Sequence, residues 1–297
     1  VGKDEQLELI MTTLVSGGHL LLEDVPGVAK TLAAQATAQA LGLDFRRIQF
    51  VPDLLPGDIS GSFIYDSRAD SFRFRKGPIF TNLILADEIN RGTPKTQSAL
   101  LEAMQEQQVT VEGQSFALDK PFMVIATQNP LEFEGTYPLP EAQIDRFLAR
   151  MSMGYPSPEA ECDMLARRQA RQADAVTLSP VLSKQDFLKI QHAIETIHVN
   201  PDIHSYIVQI VAKTRADNRV QLGASPRGSL ALFKLSRSRA MMQGRDFVTP
   251  DDVKAVAVPA LAHRVLLRPE LWAERISGET VVRDALDGVP VPKAEWR

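Results

Sequence analysis

The stretch that most constrains this chain is Glu23-Asp24-Val25-Pro26-Gly27-Val28-Ala29-Lys30-Thr31. It follows the apolar run Leu20-Leu21-Leu22 and opens a helical stretch, Leu32 to Leu41, that stops at Gly42. A strand, a tight loop and a helix in that order let backbone N–H groups and the helix dipole converge on one anion. In such a loop a lysine at position 30 reaches β- and γ-phosphates, and a threonine hydroxyl at 31 sits on Mg²⁺. The match to G-x-x-x-x-G-K-[ST] is incomplete, because Asp24 stands at the first glycine and Ala29 at the second. Pro26-Gly27 supplies a turn between them, and Ala29 is small enough to enter the first helical turn if its φ is negative. An ordinary strand-to-helix loop with an exposed lysine shares this composition, so the rest of the chain has to decide.

The second signal is Leu83-Ile84-Leu85-Ala86-Asp87-Glu88, an apolar strand ending in two carboxylates. Ligands of open α/β sheets bind at that edge. Asp87 is placed to hold a Mg²⁺ shell, and Glu88 to polarise an attacking water as general base. Two solvated acids at a strand end are the plainer alternative, which the lysine and threonine some 55 residues upstream make less attractive. A third apolar run, Phe122 to Ala126, ends in Thr127-Gln128-Asn129-Pro130, where Asn129 can meet a γ-phosphate or a water, or simply form an Asn-Pro turn. Arg146 stands between apolar residues in Glu141-Ala142-Gln143-Ile144-Asp145-Arg146-Phe147, a pattern equally open to a surface ion pair with Asp145 or Glu141.

Two short hairpins interrupt the alternation of strand and helix. In 61–76, Phe63/Tyr65 and Phe72/Phe74 alternate as in a half-buried ribbon, and 109–118 turns at Glu112-Gly113. The basic residues Arg68, Arg73, Arg75 and Lys76 fit nucleic acid or a solvated face. The overall balance of 33 basic and 37 acidic residues, net charge −4, argues against nucleic acid as a standing partner. The pattern changes near Tyr155-Pro156-Ser157-Pro158. Beyond it helices are expected at 159–172, 184–198, 201–216, 226–243 and 250–264, with Pro201, Pro226 and Pro250 at helix starts. Ser225-Pro226-Arg227-Gly228 sets Arg227 in a first turn, where a cation is disfavoured and a ligand would explain it. The stretch from Leu267 to Arg297 is weakly patterned. The spacing of His192, His198 and His204 by six does not put them on one helical face, so no metal site is expected there. A single cysteine, Cys162, excludes an internal disulfide and fits a reducing cytosol, and no run has the ~18–20 apolar residues of a membrane span. The chain opens on Val1 without a signal-peptide pattern, so a preceding segment is expected.

Together these motifs resemble the AAA+ ATPases, and within them the MoxR family. The resemblance rests on Val25 to Thr31, Ala86-Asp87-Glu88-Ile89-Asn90-Arg91, Ala126 to Pro130, Pro138 to Gln143 with Asp145-Arg146-Phe147, and Ser225-Pro226-Arg227-Gly228. It implies an α/β fold: a P-loop αβα core with a parallel sheet in residues 1–156, then an all-helical lid in 157–297. The 61–76 hairpin looks like an insert in helix 2, and 109–118 like the hairpin before sensor 1. By resemblance, Val25, Pro26, Gly27, Val28, Ala29, Lys30, Thr31 and Leu32 form Walker A, and Asp87 and Glu88 form Walker B. Thr31 and Asp87 would hold Mg²⁺, Asn129 is similar to sensor 1, Arg227 to sensor 2 and Arg146 to the arginine finger, while Gly2 belongs to the segment that frames adenine. The family implies ATP hydrolysis in a cytoplasmic homo-oligomeric ring, a hexamer, in which each finger serves its neighbour's site. It also implies chaperone-like remodelling of partners, often ones with a von Willebrand factor A domain. Two alternatives stand beside it: an ATP-gated scaffold with little turnover, and a DNA-associated helix-2-insert motor.

Overall fold

The computed structural model describes residues 1–130, 135–174, 176, 178–270 and 276–293. In chain order the elements are α1 (Asp4–Val15), β1 (Leu20–Glu23), α2 (Lys30–Ala40), β2 (Phe45–Gln49), α3 (Pro56–Ser60), β3 (Gly61–Asp66), β4 (Ser71–Lys76) and β5 (Leu83–Asp87). They continue with α4 (Pro94–Glu106), β6 (Gln108–Val111), β7 (Gln114–Ala117), β8 (Met123–Gln128), α5 (Glu141–Ile144), β9 (Ala149–Met151), α6 (Pro158–Arg171) and α7 (Lys184–Ala193). The last are α8 (Pro201–Ala216), β10 (Val220–Leu222), α9 (Pro226–Met242), α10 (Pro250–Leu261), β11 (Leu266–Leu267) and α11 (Gly278–Asp287).

The chain forms two compact units. The first comprises Val1–Met11, His19–Leu139 and Met151–Leu188; the second comprises Thr12–Gly18, Pro140–Arg150 and Lys189–Arg297. These limits differ from a division near residue 156, since α6 goes with the first unit and two short segments of the first half go with the second.

A sheet with the strand order β2-β5-β8-β1 organises the first unit. The β2–β5, β5–β8 and β8–β1 pairs are all parallel, so their C-terminal ends share one edge. β5 is buried along its whole length, and Leu20, Leu21, Leu22, Val124 and Ile125 are fully enclosed. Such strands read as continuous apolar runs because helices cover both faces of a parallel sheet. His19 is buried with them: Nδ1 accepts from Val124 N at 3.1 Å, so the proton sits on Nε2 and is donated to Met104 O at 3.1 Å. Both hairpins form. β3 pairs β4 with Phe63 opposite Phe74 and Tyr65 opposite Phe72, and β6 pairs β7 around Glu112-Gly113, both at positive φ. Phe74 stacks on Phe116 at 4.0 Å, which joins the two ribbons.

Helices α8, α9, α10 and α11 make up most of the second unit. Proline at the first helical position and a polar residue before it start several helices: Asn200-Pro201, Ser225-Pro226 and Thr249-Pro250, as Thr93-Pro94 and Ser157-Pro158 do for α4 and α6. Proline lacks the N–H that would be orphaned there, and the polar side chain accepts one that is present. The expected helices at 184–198 and 250–264 each end in a 3₁₀ turn, at Ile194–Thr196 and Ala262–Arg264. α11 lies in the weakly patterned stretch after Leu267, and β9 and the short β10–β11 ladder are further elements without a sign in the sequence pattern. Among the described residues no helix is long and apolar enough to cross a membrane, and no histidine, cysteine or acidic cluster could hold a metal.

Candidate active site

The loop between β1 and α2 lines a cavity of about 420 Å³. Pro26, Gly27, Val28, Ala29, Lys30, Thr31 and Leu32 supply one side, and Arg47, Asp87, Glu88 and Asn129 the other. Residues far apart in sequence meet because β8 pairs in parallel with β1 on one side and with β5 on the other. The first intrahelical bond of α2 is Ala33 N to Ala29 O at 2.9 Å. The N–H groups of Lys30, Thr31 and Leu32 come before it and find no acceptor four residues back, the usual basis of an anion site.

The two departures from the phosphate-loop motif have different physical answers. Ala29 does not enter the helix with negative φ: it caps α2 at φ 61 and ψ 25. It therefore keeps the left-handed geometry of the glycine it replaces, at a steric cost of about 1–2 kcal/mol for an L-residue. Asp24 is buried and does structural work a glycine could not do. Its Oδ1 accepts from Val25 N at 3.1 Å. Its Oδ2 accepts from Ser152 Oγ at 3.1 Å, Gly154 N at 3.0 Å and Met153 N. From the other side, Lys3 Nζ donates to Met153 O at 2.6 Å, Gly154 O at 3.0 Å and Tyr155 O at 3.0 Å. Residues 152–155 are thus a strap held by an anion at its amides and a cation at its carbonyls. Lys30 Nζ itself rests on Asp24 O at 3.1 Å.

The acidic side is as tightly wired. Asp87 accepts at Oδ1 from Thr127 Oγ1 at 2.6 Å, and at Oδ2 from Arg47 Nη2 at 2.7 Å and Nε at 3.0 Å. Thr127 Oγ1 also accepts from Glu88 N at 2.9 Å. Glu88 sits at φ 54 and ψ 50, a left-handed turn that carries its side chain off the end of β5. Its Oε2 accepts from Gln49 Nε2 at 2.8 Å and Arg91 Nη1 at 3.1 Å. Arg47 and Gln49 were not singled out from the sequence. Their i, i+2 spacing on β2 was the available sign, since alternate residues share a face.

The other expected site residues lie elsewhere. Gly2, at φ +64, faces Ala160, whose Cβ would be 3.0 Å from a Cβ placed there. It is outside the lining of the cavity. Val25 precedes the lining residues in the same loop. Arg146 and Arg227 belong to the second unit. Arg227 lies in the first turn of α9, half exposed, with Nη1 3.8 Å from Asp145 Oδ2.

The parallel sheet, the loop that opens α2 and the paired acids at the end of β5 define a P-loop AAA+ core, accompanied by a lid. Residues 19–149 match the model of the ATPase family associated with various cellular activities (AAA), and residues 212–285 match an AAA lid domain. Protein YeaC of Bacillus subtilis (strain 168) is 51% identical over 292 residues, covering 98% of this chain and 91% of its own length. Chaperone MoxR1 of Mycobacterium tuberculosis is 44% identical over 302 residues, covering 99% of this chain and 79% of its own. A crystal structure from Cytophaga hutchinsonii, described as a candidate ATPase, superposes with a TM-score of 0.91 at 41% identity, covering 99% of this chain and 91% of that one. The chain belongs to the MoxR family of AAA+ ATPases.

Proposed function

We propose that this chain binds ATP at the β1–α2 loop and hydrolyses it. The observation that carries the reading is that Lys30, Thr31, Asp87, Glu88 and Asn129 line one cavity at the C-terminal edge of the parallel sheet. The donor set there fits a triphosphate with its metal: free amides and an ammonium for the phosphates, a hydroxyl and a carboxylate for a hard cation. Thr31 and Asp87 would hold Mg²⁺, which when bound neutralises charge on the β- and γ-phosphates. Lys30 orients the terminal phosphate. Asn129 positions the attacking water, and Glu88 takes its proton. The hydrogen bonds from Gln49 and Arg91 hold the Glu88 carboxylate in place before that step.

In this reading Arg227 is sensor 2, Gly2 helps to frame adenine, and Arg146 is a finger offered to a neighbouring subunit's site. Family membership supports these assignments and, with them, a homo-oligomeric ring of six subunits. A finger supplied in trans contributes about 10³–10⁵ in rate, so an isolated subunit would turn over little. The working output we propose is chaperone-like remodelling of a protein partner in the cytoplasm, with a von Willebrand factor A domain as the partner class the resemblance implies. The test is Glu88→Gln. It should bind ATP as wild type does and retain it without turnover; unchanged turnover in that variant would remove Glu88 as the base.

A further inference from the structure

Arg264 closes the second unit's 3₁₀ turn at Ala262–Arg264, and its side chain is 3% exposed. Its guanidinium is spent almost wholly on the backbone around Arg146. Nη2 donates to Asp145 O at 3.1 Å and Phe147 O at 2.7 Å, and Nη1 to Leu148 O at 3.4 Å and to Ala260 O. Nε donates to Asp145 Oδ1 at 2.8 Å. The neighbouring His263 adds Nε2 at 3.2 Å from Phe147 O and 2.9 Å from Arg264 Nη1. Carbonyls on both sides of Arg146 are therefore fixed by a planar fork that only arginine offers.

The Asp145 carboxylate extends this contact to a second arginine. It accepts from Ser225 Oγ at 3.1 Å and 3.4 Å, and Ser225 Oγ in turn accepts from Arg227 N at 3.1 Å as the cap of α9. One buried group thus sets the backbone that carries Arg146 and, through Asp145 and Ser225, the helix turn that carries Arg227. Burying a guanidinium is costly unless its donors are met. Here the donors are met by the segment 145–148, with Ala260 O at the end of α10.

We infer that Arg264 and Asp145 form a positioning clamp that registers Arg146 with Arg227, so that neither contacts nucleotide but both set the rate of hydrolysis. The inference rests on the roles proposed above for Arg146 and Arg227.

The test measures kcat and KM for ATP in the full-length chain carrying Arg264→Lys, Asp145→Asn, Arg146→Ala, and Arg146→Ala with Arg264→Lys. Arg264→Lys keeps the charge but not the fork. It should lower kcat by about tenfold or more while leaving KM within about threefold, because misplaced catalytic groups cost rate rather than ground-state binding. Asp145→Asn, which keeps the shape, should lower kcat less and serves if Arg264→Lys does not fold. Added to Arg146→Ala, Arg264→Lys should cost less than it does alone, because the part of its effect that acts through Arg146 is already gone and only the part through Arg227 remains. Additive losses, a rise in KM with kcat kept, or full activity in folded Arg264→Lys and Asp145→Asn would overturn the clamp. Full activity in Arg146→Ala would instead overturn the finger assignment on which it rests.

Discussion

Replacing Asp24 by glycine brings the loop closer to the common phosphate-loop motif, yet the structure predicts that it weakens nucleotide binding. The Asp24 carboxylate accepts from four donors: Val25 N, Ser152 Oγ, Met153 N and Gly154 N. A hydrogen bond to a charged group contributes about 1.5–3 kcal/mol when it is lost with no replacement. Water can reach most of these donors once the side chain is gone, whereas Met153 is buried and its N–H bears the full penalty. The net loss of order is then about 1.4–2.8 kcal/mol, which a nucleotide must restore as it binds, equivalent to about 10- to 100-fold in Kd. The assay is titration of a fluorescent ATP analogue in Mg²⁺ against wild type, Asp24→Gly and Asp24→Asn. The amide retains one acceptor oxygen, so Asp24→Asn should fall between the other two. If Asp24→Gly binds as tightly as wild type, or more tightly, the strap does not organise the loop and the reasoning fails.

Ala29→Gly at φ 61 relieves left-handed strain of about 1–2 kcal/mol but adds chain entropy in the unfolded state, so the net gain should be about 0.5–1 kcal/mol, read as a higher melting temperature. A lower one would contradict the backbone assignment. Gln49→Ala removes one of the two groups holding Glu88 Oε2 in place, and should lower ATP turnover about two- to fivefold with KM unchanged. Equal rates would mean that Gln49 does not restrain the base. Burial holds the His263 imidazole well below its ordinary pKa, so below about pH 6.5 the unfolded chain binds a proton that the folded chain refuses. Stability from this site is present above the unfolded pKa and is lost as pH falls, at up to ~1.4 kcal/mol per unit. His263→Gln should therefore lose less in melting temperature between pH 7.5 and 5.5 than wild type does, and an identical slope would refute the assignment.

The sheet and the cavity were legible because buried parallel strands and phosphate loops write themselves into short, contiguous runs. Leu20–Leu22, Leu83–Asp87 and Phe122–Ala126 each showed an apolar strand ending in polar residues, and the residues at those ends meet in one cavity. The starts of α8, α9 and α10 were equally visible in Pro201, Pro226 and Pro250. What escaped depends on distance in sequence. Asp24 read as a motif defect, because its partners are about 130 residues away in a strap with no local pattern. Arg264 carried no local sign at all, since its meaning comes from carbonyls at 145–148. Ala29 could be judged small enough for the loop, but its positive φ is set by the turn around it and not by its own preference. The tail was unpatterned because α11 is a short helix that buries just Val281, Val282 and Ala285.

The central claim, a shared site completed by a neighbour's arginine, is tested most directly by specific ATPase activity measured against protein concentration, with Arg146→Ala beside wild type. The account predicts that wild-type activity per subunit rises with concentration while the variant stays flat and low, although it still binds ATP. Activity per subunit that does not change with concentration, or a variant that matches wild type throughout, would contradict it.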